Sequence, residues 1–384
     1  MAKTFEEINA KIMQGQAVVV TAEEMVQLAA EQGVKEAAKA VDVVTTGTFG
    51  PMCSSGAFVN FGHAEPPIRM SEIYLNDVPA SGGVAAVDTY IGATEQSRSQ
   101  GMAYGGAHVI QDLIEGKSVQ LTARSVGTDC YPRKKIDTWV SLDDLNQAYL
   151  YNPRNAYQNY PAAANTTDRT IYTYMGRLLP DCANVNYSTS GELSPLLKDP
   201  SLRSIGMGTR IFLGGGVGYV AGEGTQYKTV REELDNGDIY HAGRTLAVMG
   251  NLRDMSSEYI RAAVFEGYGV TMYVGIGIPI PVLDTDLANE LAVSNAHLYT
   301  YVSDYSAPGH PPLKRVSYAE LRAGGVELNG KKVPAASLSS LKKAREIASA
   351  LKEWIQGGKF LLQEPIARLP EQQGFKPLTE KEVQ

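Results

Sequence analysis

Glycine decides most of what this chain can become: 38 of its 384 residues are Gly, and with Tyr, Asn and Thr they break the middle of the chain into short strand-like runs. Residues 118–123, 169–174, 209–213 and 270–278 are too brief for anything but sheet segments joined by turns. Residues 41–46, VDVVTT, read as a buried strand that ends in the small-residue loop GTFGPMCSSG. Helices are expected at the two ends. Thr4 with Glu7 and Thr21 with Glu24 are capping boxes, followed by Ile8, Ile12 and Met13 and by Met25, Leu28 and Ala29 at helical spacing, with Gly15 and Gly33 as stops. Residues 337–356 carry Leu338, Leu341, Ile347, Leu351 and Ile355 on one face and stop at Gly357 and Gly358. Two further helices are predicted at 141–151 and 256–265. The fold class is α/β, with α+β as its variant: a Gly-rich mixed sheet with flanking helices. Residues 1–363 are expected to form one large catalytic domain, in one or two lobes, and 364–384 a loose polar tail.

The formal net charge of −7 comes from acids and bases spread along the chain, which argues against a nucleic-acid surface. The longest apolar stretch, 268–283, contains Pro279 and Pro281 and falls short of the roughly 20 residues that cross a bilayer. The N-terminal MAKTFEEINAKIMQG has no apolar signal core, so a cytoplasmic location is expected. Three cysteines, with no C-x-x-C pair, fit a reduced compartment in which each thiol is either inert core or reactive.

Cys53 lies beyond a strand end in GPMCSSG, where Gly50, Ser54, Ser55 and Gly56 allow tight turns whose backbone N–H groups could hold a thiolate or bound sulfide. A small cysteine filling space beside a turn would look the same. Cys130 sits among Arg124, Arg133, Lys134 and Lys135, charges that favour a thiolate, although such a cluster is also an ordinary solvated turn. Cys182 has no such neighbourhood and reads as structural. His63 and His108 are candidates for a general acid toward an aldehyde oxygen, and either could be an ordinary hydrogen-bonded histidine. GVGYVA at 216–221 fits G-x-G-x-x-A, yet Gly222 and Gly224 stand where a dinucleotide fold needs a helix. No phosphate-binding P-loop, G-x-S-x-G elbow or H-E-x-x-H motif occurs.

The strings VDVVTTGTFGPMCSSGAFVNFGH, EPPIRMSEIYLNDVPASGG, VDTYIGATE, SVGTDCYPRKK and FLGGGVGYVAGEGTQ together resemble the homocysteine biosynthesis protein family, the L-aspartate semialdehyde sulfurtransferases of anaerobic microbes. The likeness runs from near the N-terminus to about Leu362. It implies that Cys53 and Cys130 match the two cysteines on which the family's sulfur transfer depends. Some members continue into a pair of CBS domains; this chain ends too soon for that module to be expected.

Electron accounting constrains the chemistry so implied. An aldehyde that condenses with sulfide and loses water becomes a thioaldehyde, two electrons and two protons short of a thiol. With no convincing dinucleotide fingerprint, the electrons are expected from a separate ferredoxin-like iron–sulfur protein, as the resemblance also implies. The leading expectation is a persulfide on Cys53, with Cys130 resolving the S–S bond or relaying sulfur. Three readings stand beside it: a [4Fe–4S] cluster held by Cys53, Cys130 and Cys182 with one iron open to sulfide, an NAD(P)-dependent oxidoreductase, and a noncatalytic sulfur carrier. For L-aspartate semialdehyde, Arg69 or Arg124 is the candidate for the carboxylate and Asp77 or Asp88 for the ammonium group. A homo-oligomer is left open. The persulfide expectation requires two thiols distant in sequence to meet in one pocket.

Overall fold

The short runs become strands of several sheets in the computed structural model, which describes residues 2–230 and 243–381 and the backbone of the strands Glu232–Glu233 and Ile239–Tyr240. His241 lies outside the described residues. The largest sheet is antiparallel throughout. Its order is Ile260–Phe265, Gly269–Gly277, Arg210–Leu213, Gly216–Glu223, Leu246–Asn251, Gln147–Asn155, Gly56–Asn60 and Asp88–Gly92, with Thr48–Pro51 also paired to Gly269–Gly277. A mixed sheet contains Pro312–Ser317, Tyr299–Asp304, Ala162–Ala164, Val185–Tyr187, Lys331–Ser337 and Gly325–Leu328. A third, antiparallel sheet joins Lys135–Val140, Val119–Arg124, Glu72–Leu75 and Val78–Ala80. The α/β class stands, with its strands divided among separate sheets.

Local chemistry explains several boundaries. In the helix Phe5–Met13 both capping-box bonds form, Glu7 N to Thr4 Oγ1 at 3.1 Å and Thr4 N to Glu7 Oε2 at 2.8 Å. The last helix spans Leu341–Gln356, capped by Ser340 rather than starting at 337, because Lys331–Ser337 is recruited as a strand. It packs on Thr48–Pro51 and Gly269–Gly277, and a side chain at Gly47 would collide with its Ala344 carbonyl. Burial of its Ile347, Leu351 and Ile355 contributes roughly 1.5–3 kcal/mol apiece. Gly216–Glu223 is a strand turned back on Arg210–Leu213 through Gly214 and Gly215, both at positive φ, so the dinucleotide reading of GVGYVA is overturned.

Two predicted helices are also strands. Residues 141–144 form a single 3-10 turn, after which Gln147–Asn155 alternates, with Ala148, Leu150 and Asn152 buried and Tyr149 and Tyr151 facing out. Pro153 would break a helix in any case. Ile260–Phe265 pairs along its whole length with Gly269–Gly277 across a turn at 266–268. In both places pairing with a neighbour outweighs local helix signals. The polar C-terminal stretch lies against the body at 366–373, where Ile366 N donates to Met207 O at 2.9 Å and Thr229 N to Gln373 O at 2.9 Å. Among the described residues no helix is long and apolar enough to cross a membrane.

Candidate active site

The loop between Thr48–Pro51 and Gly56–Asn60 joins two strands of the antiparallel sheet, and Cys53 stands in its turn. Met52 N donates to Met272 O at 2.7 Å and Ser55 N to Met52 O at 3.1 Å, so the Ser55 amide closes the turn and is not free for an anion. The fully buried Asn152 seats the rest. Its Nδ2 donates to Ser55 Oγ at 2.6 Å, and its Oδ1 accepts from Ser54 Oγ at 3.1 Å and from the Arg154 amide at 2.8 Å. Ser54 Oγ also lies 3.0 Å from Arg154 O. The half-buried thiol and the Arg154 residue are thereby tied to one another through backbone and a single amide side chain.

Cys53 opens into a cavity of about 280 Å³ lined by Arg154, Tyr157, Tyr160, Tyr174, Gln226, Tyr268 and Thr271, among others. Among the described residues no Asp or Glu lines it. The Tyr268 hydroxyl, carried on the 266–268 turn, stands by the Cys53 sulfur on the same lining; burial first, then that sulfur, pushes its pKa up to about 12. Burial likewise pushes Tyr157 up to about 12 against the opposing pull of Arg154, to which its hydroxyl is hydrogen-bonded. Tyr160, raised chiefly by burial, donates to Tyr174 Oη at 2.8 Å. These three phenols are therefore proton donors at neutral pH. Two buried polar atoms on the lining, Arg154 Nε and Thr271 Oγ1, have no hydrogen-bond partner.

Cys130 is placed elsewhere. It is exposed at the tip of the hairpin between Val119–Arg124 and Lys135–Val140, in a turn closed by Thr128 N to Tyr131 O at 3.0 Å and Tyr131 N to Thr128 O at 3.1 Å. Tyr131 stacks on His63 with ring centroids 6.0 Å apart, and Arg133 N donates to Pro67 O. The hairpin thus sits by the loop that follows Asn60, whereas Cys53 precedes Gly56. At about 3.3 Å per residue, that strand alone separates the two ends by roughly 13 Å. Within one chain the two thiols do not meet and Cys130 does not line the Cys53 cavity, which overturns the expectation that both act in one pocket and leaves Cys130 no direct part in resolving an S–S bond on Cys53.

The other sequence candidates fall on the Cys130 side or inside the protein. Exposed His63 accompanies Cys130 and not Cys53. Arg124 ends a strand of the hairpin between Glu72 and Lys135, and exposed Arg69 lies in the preceding loop. Asp88 pairs with Asn60 at the far end of the strand and accepts from its Nδ2. Asp77 accepts from Ser99 N at 2.8 Å. None of these lines the cavity. His108 Nδ1 accepts from Gly105 N at 3.2 Å, and burial lowers its pKa. Cys182 is buried with Ala162 and Val302, its pKa raised by burial first and then by Asp304. Cys53, Cys130 and Cys182 thus occupy three separate environments, which does not fit a three-cysteine cluster in one chain. Among the described residues no three His, Cys, Asp or Glu are grouped to hold a metal ion. Arg154, Tyr157 and Tyr268 were missed because the 141–151 helix reading obscured the strand carrying Asn152, and Tyr268 reaches Cys53 only through pairing of distant strands.

Residues 17–362 match the family described as homocysteine biosynthesis enzyme, sulfur-incorporation. The chain is 51% identical to an L-aspartate semialdehyde sulfurtransferase of Methanosarcina acetivorans, over 99% of this chain and 75% of that protein. It is 50% identical to one of Methanocaldococcus jannaschii, over 96% of this chain and 73% of the relative. No solved structure matches. A match across nearly the whole chain, with a cavity-facing cysteine at its centre, makes this protein a member of the sulfur-incorporating homocysteine biosynthesis enzyme family.

Proposed function

We propose that this enzyme transfers sulfur to L-aspartate semialdehyde to give L-homocysteine, with Cys53 as the sulfur-bearing nucleophile. The observation that carries the reading is the Cys53 thiol facing a cavity that it lines together with the Tyr268 phenol and the Arg154 cation. The names of the two relatives supply the substrate.

The terminal sulfur of a Cys53 persulfide adds to the aldehyde carbon. A C–S bond forms, and the carbonyl π pair moves to oxygen, which takes a proton from Tyr268. Two electrons and two protons then cleave the S–S bond, returning the Cys53 thiol and leaving a hydroxythiol. Loss of water gives the thioaldehyde, and a second pair of electrons with two protons gives the thiol. Sulfane sulfur passed to the Cys53 thiol from a persulfide or polysulfide donor, which leaves as the shortened thiol, needs no oxidant, so the sequence draws four electrons in all from a ferredoxin-like iron–sulfur protein. Cys130, exposed on a basic hairpin, is the outer thiol that accepts sulfur from a donor. The reaction suits a reducing cytoplasm.

The test is homocysteine formation by purified protein given polysulfide, a low-potential reductant and the aldehyde, repeated with Cys53→Ala. Product from the wild type and none from the variant is expected. A wild type that makes product only when a second enzyme is added overturns the reading in favour of a sulfur carrier.

A further inference from the structure

A thiol and a phenol can perform the sulfur chemistry on any aldehyde; they do not explain why the cavity also holds an arginine. Arg154 reaches the lining with a buried Nε that has no partner, and among the described residues it has no ion pair. A guanidinium is always charged, so an arginine that lines a cavity without an ion-pair partner favours an anionic ligand there. Its backbone is tied by Asn152 and Ser54 to the turn that carries Cys53. Arg154 and Cys53 thus face one cavity from linked backbone positions. Around it the described residues offer hydroxyls and rings but no acid, since Tyr157, Tyr160, Tyr174 and Tyr268 line the cavity and no Asp or Glu is among the described lining residues. Such a wall receives a cation through ring faces and hydroxyl oxygens.

We infer that the Cys53 cavity is a zwitterion site for a short α-amino acid, in which Arg154 pairs the α-carboxylate and the tyrosines surround the α-ammonium group. This rests on the proposed reaction for the identity of the ligand, and it assigns the selectivity to residues absent from the sequence candidates: Arg154 replaces Arg69 and Arg124, and tyrosines replace Asp77 and Asp88. A cavity of about 280 Å³ accommodates a four-carbon amino acid together with a sulfur atom on Cys53. An acid beside the guanidinium would cancel the charge that the carboxylate needs, which accounts for its absence from the wall.

The experiment measures binding without turnover. Iodoacetamide alkylation of Cys53 is followed by peptide mass spectrometry in the presence of L-homoserine, the unreactive alcohol of the same skeleton, or of 3-aminopropan-1-ol, which lacks only the carboxylate. In the wild type L-homoserine protects Cys53, and loss of the carboxylate weakens protection roughly 10- to 100-fold, the range for charge-assisted hydrogen bonds. Arg154→Met removes that difference and Arg154→Lys restores part of it, each protection being measured against the same variant's own unliganded alkylation rate. Equal protection by the two alcohols in the wild type, no protection by L-homoserine, or a difference that survives in Arg154→Met overturns the assignment. Because no sulfur is transferred, protection that obeys these expectations in a protein that fails the homocysteine assay sinks the proposed reaction and leaves the site standing.

Discussion

Replacing Asn152 with Ala tests whether one buried amide holds the nucleophile and the guanidinium in register. The side chain is 0% exposed, and it supplies an acceptor to the Arg154 amide at 2.8 Å and to Ser54 Oγ at 3.1 Å and a donor to Ser55 Oγ at 2.6 Å. Ser54 keeps its second contact at Arg154 O, and the Ser55 hydroxyl can rotate, but the Arg154 amide loses its partner in a buried setting. Two lost neutral bonds at about 1 kcal/mol each and one unsatisfied amide at about 1–3 kcal/mol give a destabilisation of roughly 3–5 kcal/mol. Urea unfolding reads this as a lower midpoint. The functional effect is larger than the stability effect suggests, because a shift of about 1 Å between thiol and guanidinium can reduce turnover on the order of 100-fold. Asn152→Asp retains the acceptor for the Arg154 amide and buries a charge, so it is expected to keep the loop geometry while losing more stability. If Asn152→Ala unfolds at the wild-type midpoint and its Cys53 is alkylated and turned over at wild-type rates, the amide does not organise the site.

Three further outcomes are expected. Tyr268→Phe lowers kcat roughly 10²- to 10⁴-fold with little change in KM for the aldehyde, the pattern for loss of a proton donor; a change in KM alone assigns Tyr268 to binding. Cys130→Ser fails with a bulky protein sulfur donor, yet still loads sulfane sulfur on Cys53 from a small polysulfide, read by mass spectrometry; loss of loading with both contradicts the outer-thiol role. The Tyr157 phenol, with a folded pKa of about 12 against roughly 10 in the unfolded chain, contributes stability that is fully present below pH 10 and is lost as pH rises through 12. Tyr157→Phe should therefore flatten the decline in urea midpoint between those values, and an unchanged decline refutes the assignment.

Periodicity made the ends of the chain legible. The capping boxes at Thr4 and Thr21 form as their spacing requires, and Leu341–Gln356 buries Ile347, Leu351 and Ile355 of the residues that the helical spacing selects, while Leu341 is half-buried and Leu338 precedes the helix. These signals are local, carried by neighbours within one or two turns. At 141–151 and 256–265 local signals misled, since Ser141 and Ser256 each start a turn and pairing with distant strands sets the conformation of the residues beyond it. Cys53 could be singled out in sequence because a cysteine among small residues after a strand is a local pattern. Its companions could not. Arg154 lies about a hundred residues on and Tyr268 farther still, and each arrives through the register of a different strand pair. Chain order therefore determined the candidate thiol and the helical ends, which depend on short-range spacing; tertiary structure alone decided which cation and phenol line the cavity with that thiol and placed Cys130 on a separate hairpin, because cross-strand contacts leave no trace in the spacing of either partner.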